Sequence, residues 1–307
     1  MDTQPDIDTR GLFEARYAAF LARIAALRPR LHRYCARMTG SVLDGEDVMQ
    51  DVVFEAYRKL DGFDDSRALD PWLFRIAHNR CIDFLRRRAV RVGAEAAVAE
   101  PDVVAPSDPA GLDVGHAIER LVVVLPPKER ACVLLKDVFD YSLEEIADLV
   151  GSTVGGVKAA LSRGRGKLAM VRDAPRASRL PDPAALELLR LYVERFNRGD
   201  WEGLRALASA DARLRVADCF SGRLADSPYF AEYERAAALW RLALGEVDGE
   251  TVLILLSDAG NGWAPHAAIR LSVIDGRIER IEDYFQCPWI LPAAASVVLK
   301  ADPPRIL

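Results

Sequence analysis

The residues best placed to do chemistry are the cations of one short segment, Tyr141–Met170, YSLEEIADLVGSTVGGVKAALSRGRGKLAM. Lys158, Ser162 and Arg165 recur at helical spacing, with Arg163 and Lys167 beside them. From Leu149 to Arg172 there are five basic residues and no acidic one. That chemistry is recognition of phosphate and base edges: a cationic helix fits the major groove while its side chains meet the phosphates. The flanking residues predict how the helix is held. Ser142 and Glu145 form a capping box that starts a first helix. Gly151 ends it by turning at positive φ, and Ser152 or Thr153 caps the second. Val157, Leu161, Gly164 and Leu168 share the opposite, inward face. A helical hairpin with a solvated basic face is the alternative.

A second cationic segment is Asp70–Arg91, DPWLFRIAHNRCIDFLRRRAVR. Asp70 as N-cap and Pro71 as first helical residue predict its start. Trp72, Leu73, Ile76, Ala77, Phe84 and Leu85 face inward. Arg75, Asn79, Asp83 and Arg86 line another face, extended by Arg87 and Arg88, with His78 nearby. Arginines that hold phosphates beside an Asn that bonds a base edge suit single-stranded DNA; a solvated basic helix end is the other reading. Ahead of it, Asp44–Leu60 is amphipathic. Val48, Val52, Ala56 and Leu60 form its apolar face, and Asp47, Asp51 and Glu55 lie four apart on another, with Glu46 and Gln50 close by. This stripe is either a solvated face or a docking surface for a basic partner helix.

These segments sit in a chain of 307 residues, half of them hydrophobic, enough for two or three domains. The net charge of −5 averages over basic clusters and acidic stretches, and local patches govern association with DNA. The N-terminus MDTQPDIDTR has neither the basic start nor the apolar run of a signal peptide, and no stretch is long and apolar enough to span a membrane. The five cysteines are scattered with no C-x-x-C pair, which predicts reduced thiols, a cytoplasmic location and no metal site. Residues 11–93 read as all-α. Residues 94–112 are an acidic Pro/Ala linker, residues 113–172 are all-α again, and 173–183 form a second proline-rich break. Residues 184–300 read as α+β: helical patterns first, then strand patterns at Ala212–Ala217, Leu239–Glu246, Thr251–Ser257, His266–Ile274 and Arg277–Tyr284. Asp248-Gly249 and Asp275-Gly276 are hairpin turns between them.

Together these features resemble a sigma-70-family sigma factor of the extracytoplasmic-function group. RYCARMTGSVLDGEDVMQDVVFEAY and PWLFRIAHNRCIDFLRRR are similar to region 2. LVVVLPPKERACVLLKDVFDYSLEEIADLVGSTVGGVKAALSRGRGKL is similar to region 4, with no region 3 domain between them. The resemblance implies that Asp44, Glu46, Asp47, Gln50 and Asp51 meet the clamp helices of core RNA polymerase, region 4 lying at its flap. Arg75, His78, Asn79, Asp83, Arg86, Arg87 and Arg88 would melt and read the minus-ten element. Thr153, Lys158, Ser162, Arg163, Arg165 and Lys167 would read the minus-thirty-five element of promoter DNA. The linker acids Glu95, Glu100, Asp102 and Asp108 would mimic nucleic-acid phosphates in the polymerase cleft, or the linker is a plain tether. Gly156, Ala159, Ala160, Gly164 and Gly166 depart from the family's usual wording. The two later glycines cost about 1 kcal/mol each in helix propensity, so the second helix is expected to fray and its base contacts to be fewer.

RFNRGDWEGL and the ending IDGRIERIEDYFQCPWIL resemble the SnoaL-like family of cone-shaped α+β folds. That implies a tail that contacts the sigma domains and tunes their activity, with room for a small ligand. Candidate pocket residues are Trp201, Trp240, Trp263, His266 and Asp283, with Asp258 and Tyr284 as further polar groups. A His–Asp pair in an apolar cone suits acid–base work, yet fold does not fix function, and no catalytic residue or cofactor is assigned. The rivals are a stand-alone helix-turn-helix regulator with a ligand-sensing tail, and an enzyme carried by the SnoaL-like block.

Overall fold

The computed structural model describes residues 9–60, 68–96, 125–170, 182–260 and 262–300, with side chains omitted for 9–16 and 91–96. The described residues fall into two compact units, the two all-α blocks in one and the α+β block in the other. The linker acids Glu100, Asp102 and Asp108 lie outside the described residues, as does nearly all of the second break. The helix expected over Asp70–Arg91 runs on to Ala96, past the expected end of its block at 93.

The helical unit opens with α1 (Thr9–Ile24), α2 (Arg28–Thr39), α3 (Val42–Lys59) and α4 (Leu69–Ala96). Gly40 closes α2 at φ 87° in the left-handed region, and the Ser41 hydroxyl then caps α3 by accepting from the Asp44 amide at 3.3 Å. At Gly45 a Cβ would stand 2.5 Å from the Ala36 backbone, so α2 and α3 approach at a contact only glycine permits. Leu31, Tyr34, Cys35 and Met38 of α2 meet Leu43, Met49, Val52 and Val53 of α3 and Leu73, Phe74, Ala77 and Cys81 of α4 in a fully buried core. The start of α4 differs from expectation. The helix begins at Leu69, and the Asp70 carboxylate accepts from Arg30 of α2.

The same unit continues with α5 (Pro127–Val133), a π-helical turn at Leu134–Val138, α6 (Leu143–Val150) and α7 (Val154–Met170). The capping box is present in full, Ser142 and Glu145 each bonding the other's backbone amide. Gly151 turns at φ 61°, and the Thr153 hydroxyl accepts from Gly156 N at 3.1 Å to start α7. The fraying expected of α7 is not seen. One helix runs through Gly164, which is buried where a Cβ would fall 2.9 Å from the Val133 side chain. Close packing on α5 outweighs its poor propensity.

The two helical halves are bonded together. Arg130 of α5 donates to the Met38 and Leu125 carbonyls. Arg30 also donates to the Phe139 carbonyl at 3.1 Å and lies over the rings of Phe74, Phe139 and Tyr141. Tyr34, Phe74, Phe139 and Tyr141 form one aromatic cluster.

The other unit is α+β. It has α8 (Pro183–Arg198), α9 (Trp201–Leu207), β1 (Ala208–Val216), β2 (Phe220–Arg223), α10 (Tyr229–Arg235), β3 (Trp240–Val247), β4 (Glu250–Asp258), β5 (Trp263–Ile274), β6 (Arg277–Asp283), α11 (Ile290–Ala293) and β7 (Val297–Leu299). The strands form one sheet in the order β2-β1-β6-β5-β4-β3-β7. Its β1–β6 pair is parallel and the others are antiparallel. Both expected hairpin turns are present, with Asp248, Gly249, Asp275 and Gly276 all at positive φ. All five expected strands are found; β2, β7 and α10 had no clear sequence signal. Leu189, Tyr192 and Phe196 of α8 pack with Leu242, Leu253, Leu255 and Ile269 of the sheet as the core.

Candidate nucleic-acid interface

On α7 the cations divide into two groups. Lys158 and Ser162 are exposed, and Lys158 has no ion-pair partner among the described residues. Thr153 is exposed at the helix start, where its hydroxyl is committed to the cap. The other three cations meet acids of the preceding helix and turn. Glu129 of α5 accepts from Arg163 at 3.0 Å and from Lys167 at 2.8 Å, and Asp137 of the π turn accepts from Arg165 Nε at 3.1 Å. Hydrogen bonds from Lys167 and Arg163 hold the Glu129 carboxyl below the ordinary range, and the bond to Asp137 holds the Arg165 guanidinium more firmly protonated. These acids lie 28 to 38 residues before their partners in sequence, so spacing within the helix did not reveal them.

On α4, Arg75, Asn79, Asp83, Arg86 and Arg87 are exposed along one flank. Arg86 lies 3.6 Å from Asp83, and Arg87 Nε donates to the Asp83 carbonyl at 3.4 Å. Two assignments change. His78 is buried, its Nδ1 3.1 Å from the Tyr34 hydroxyl, and burial lowers its pKa to about 4; a neutral, enclosed imidazole presents nothing to DNA. Arg88 is half-buried and reaches Asp44 of α3 at 3.3 Å, so a residue expected on DNA and one expected on the polymerase are joined to each other.

On α3, Asp51 is exposed, and Asp47 and Gln50 are half-buried. Burial pushes the Asp51 carboxyl up, opposed by Arg80 and Arg87. Glu46 turns out to point inward. Its side chain is fully buried, accepting from Gln50 at 3.1 Å and lying 3.8 Å from Arg28, so it is not available to a docking partner. Sequence reasoning missed Phe54, which is 49% exposed three residues after Asp51. An apolar ring on the polar side of the helix was the available signal. Glu55 is occupied by Lys59 and Arg80; burial, the largest influence on it, is outweighed by those hydrogen bonds, and its pKa is lowered.

The five candidate pocket residues of the α+β unit do not form one site. Trp201 is core, packed on Phe196, and Trp263 lies beneath Arg241. Trp240, His266 and Phe285 stack together with centroids 5.0–5.2 Å apart. Asp283 is buried beside them. Its Oδ2 accepts from the Tyr229 and Tyr233 hydroxyls at 2.9 and 2.7 Å, and its Oδ1 from the Phe285 amide at 2.8 Å. Burial pushes its pKa up against those three bonds. Both carboxylate oxygens are therefore engaged inside the fold. Asp258 is exposed and accepts from Gly260 N, and Tyr284 is buried. Among the described residues no group of three or more His, Cys, Asp or Glu is placed to hold a metal, and no helix is long and apolar enough to cross a membrane.

Comparison with known proteins bears on this arrangement. The pattern of Sigma-70 region 2 matches residues 23–91, and that of Sigma-70 region 4 matches residues 115–168. The ECF RNA polymerase sigma factor SigG of Mycobacterium tuberculosis is 33% identical over 254 residues, covering 74% of this chain and 66% of SigG, so the chain spans about two thirds of that relative's length. SigW of Bacillus subtilis, another ECF RNA polymerase sigma factor, is 32% identical over 159 residues, covering 48% of this chain and 85% of SigW. Among solved structures, the extracytoplasmic function sigma factor SigJ of Mycobacterium tuberculosis is 18% identical with a TM-score of 0.35, covering 86% of this chain and 95% of SigJ.

Proposed function

The chain belongs to the extracytoplasmic-function sigma factors, and on that premise we propose that it docks on core RNA polymerase and directs it to promoters through three separate surfaces. The α3 face of Asp47, Gln50 and Asp51, with Phe54 as an apolar anchor, meets the polymerase clamp helices. The α4 flank of Arg75, Asn79, Arg86 and Arg87 holds the melted minus-ten strand. Lys158 and Ser162 of α7 lead at the minus-thirty-five duplex, where Arg163, Arg165 and Lys167 offer phosphates a charge already shared with Glu129 and Asp137. The α+β unit modulates this activity from the same chain, and the reading assigns it no catalytic step.

The observation that carries the proposal is the placement of charge in one helical unit, with Asp51 exposed and Asp47 half-buried on one face of α3, and Arg75, Arg86 and Arg87 exposed on α4 and Lys158 on α7. Acidic residues on a DNA-binding protein favour a protein partner, because phosphate repels them. The test is transcription in vitro with purified core polymerase and the full chain. Wild type is expected to initiate at its promoter, and Asp47→Arg with Asp51→Arg is expected to lose polymerase binding while the helical content stays unchanged. Undiminished binding by the double variant would refute the docking face. Tight promoter binding without polymerase would favour the stand-alone regulator.

A further inference from the structure

The α+β unit contains a cavity of about 380 Å³ away from the Trp240–His266–Asp283 cluster, within the range of small-molecule sites. It exists because β1 leaves the sheet. Ala208 stands opposite Ile278 and Arg213 opposite Arg280, so β1 advances five residues (208 to 213) while β6 advances two (278 to 280). The extra residues bulge off the ladder, a device found beside functional sites. Ser209 and Ala210 of the bulge line the cavity, with Leu224, Ser227 and Phe230 from the segment after β2 and Arg205 from α9.

One polar feature of this cavity is only loosely satisfied. The Arg205 guanidinium lies 5.7 Å from the Phe230 ring and 3.6 Å from the Glu234 carboxylate, its one ion pair among the described residues, with both side chains about half exposed. An exposed pair of that length is weak, so a competing anion displaces it at little cost. Ala210, Leu224 and Phe230 supply apolar lining in the same cavity as the cation.

We propose that this cavity binds a small organic monocarboxylate with an aromatic or short aliphatic body. The carboxylate pairs with Arg205 in place of Glu234, and the body lies on Phe230 and Leu224. A free phosphate or other inorganic anion would leave the apolar wall unused. The site goes beyond the promoter reading and does not depend on it, because the binding assay needs neither polymerase nor DNA.

The experiment is fluorine NMR with 4-fluorobenzoate as the probe and the full chain as receptor. Wild type is expected to broaden the probe signal, with recovery on addition of excess hexanoate and none with hexanol. Arg205→Gln is expected to bind about tenfold more weakly, the loss of one charge-assisted hydrogen bond. Ala210→Trp, at an exposed position on the rim, is expected to abolish binding by filling the cavity while circular dichroism stays unchanged. No broadening by wild type at millimolar probe, equal competition by hexanol, or equal binding by both variants would each overturn the proposal.

Discussion

Acidification from about pH 7.5 to about pH 5 is expected to cost the helical unit about 2 kcal/mol through His78 alone. The imidazole is 7% exposed and burial holds its pKa at about 4 against an ordinary 6.5. In the unfolded chain it takes up a proton near 6.5; in the fold it does so only near 4. Between those values the unfolded state binds more protons, so stability is complete above the unfolded pKa and is lost as pH falls toward the folded one. The whole difference is worth about 3 kcal/mol. For a unit of this size, 2 kcal/mol lowers the midpoint of thermal unfolding by roughly 4–8 °C. The assay is thermal unfolding of wild type and His78→Gln across this range. Gln does not titrate and retains a polar group for the Tyr34 hydroxyl. His32 is also buried with a lowered pKa, contributes with the same sign, and is present in both proteins, so it cancels. Wild type is expected to show the steeper loss. Equal pH slopes in the two proteins, or an NMR titration placing His78 near its ordinary pKa, would refute the reasoning.

Gly45→Ala forces a Cβ to 2.5 Å from the Ala36 backbone and is expected to cost about 3 kcal/mol or more, whereas Gly166→Ala meets nothing within 4 Å and is expected to gain about 1 kcal/mol in urea unfolding. Lys158→Ala is expected to weaken promoter binding by the holoenzyme and to reduce the dependence of log K on log salt by about 1, with a smaller reduction for Arg165→Ala, whose cation Asp137 already neutralises in part. Titration of binding against salt separates the two. Tyr229→Phe removes one of two hydroxyls on Asp283 and is expected to destabilise the α+β unit by about 1–2 kcal/mol; no change in its unfolding would show that the network contributes nothing.

Local signals carried most of the fold. Ser142, Glu145, Gly151 and Thr153 set the helix-turn-helix through contacts spanning a few residues. Asp248-Gly249 and Asp275-Gly276 set two hairpins in the same way, because a tight turn needs positive φ and these residues tolerate it. Hydrophobic periodicity located the α4 flank and the α3 stripe.

Which polar residue on a face stays exposed was decided by partners distant in sequence. His78 shares its helix with Asn79 and Arg75, and only the approach of Tyr34 makes it core. Glu46 sits one residue from Asp47, yet Arg28 and the α2 packing turn it inward. Arg163, Arg165 and Lys167 read as free cations until α5 and the π turn bring Glu129 and Asp137 to them. The bulge of β1, and the cavity behind it, follow from pairing with β6 about seventy residues away. By itself the sequence determined the class, the helix caps, the hairpins and the charged surfaces, because those depend on near neighbours and periodicity. The tertiary structure alone decided which charges are free and where a cavity opens, because burial and ion pairing depend on segments that folding brings together.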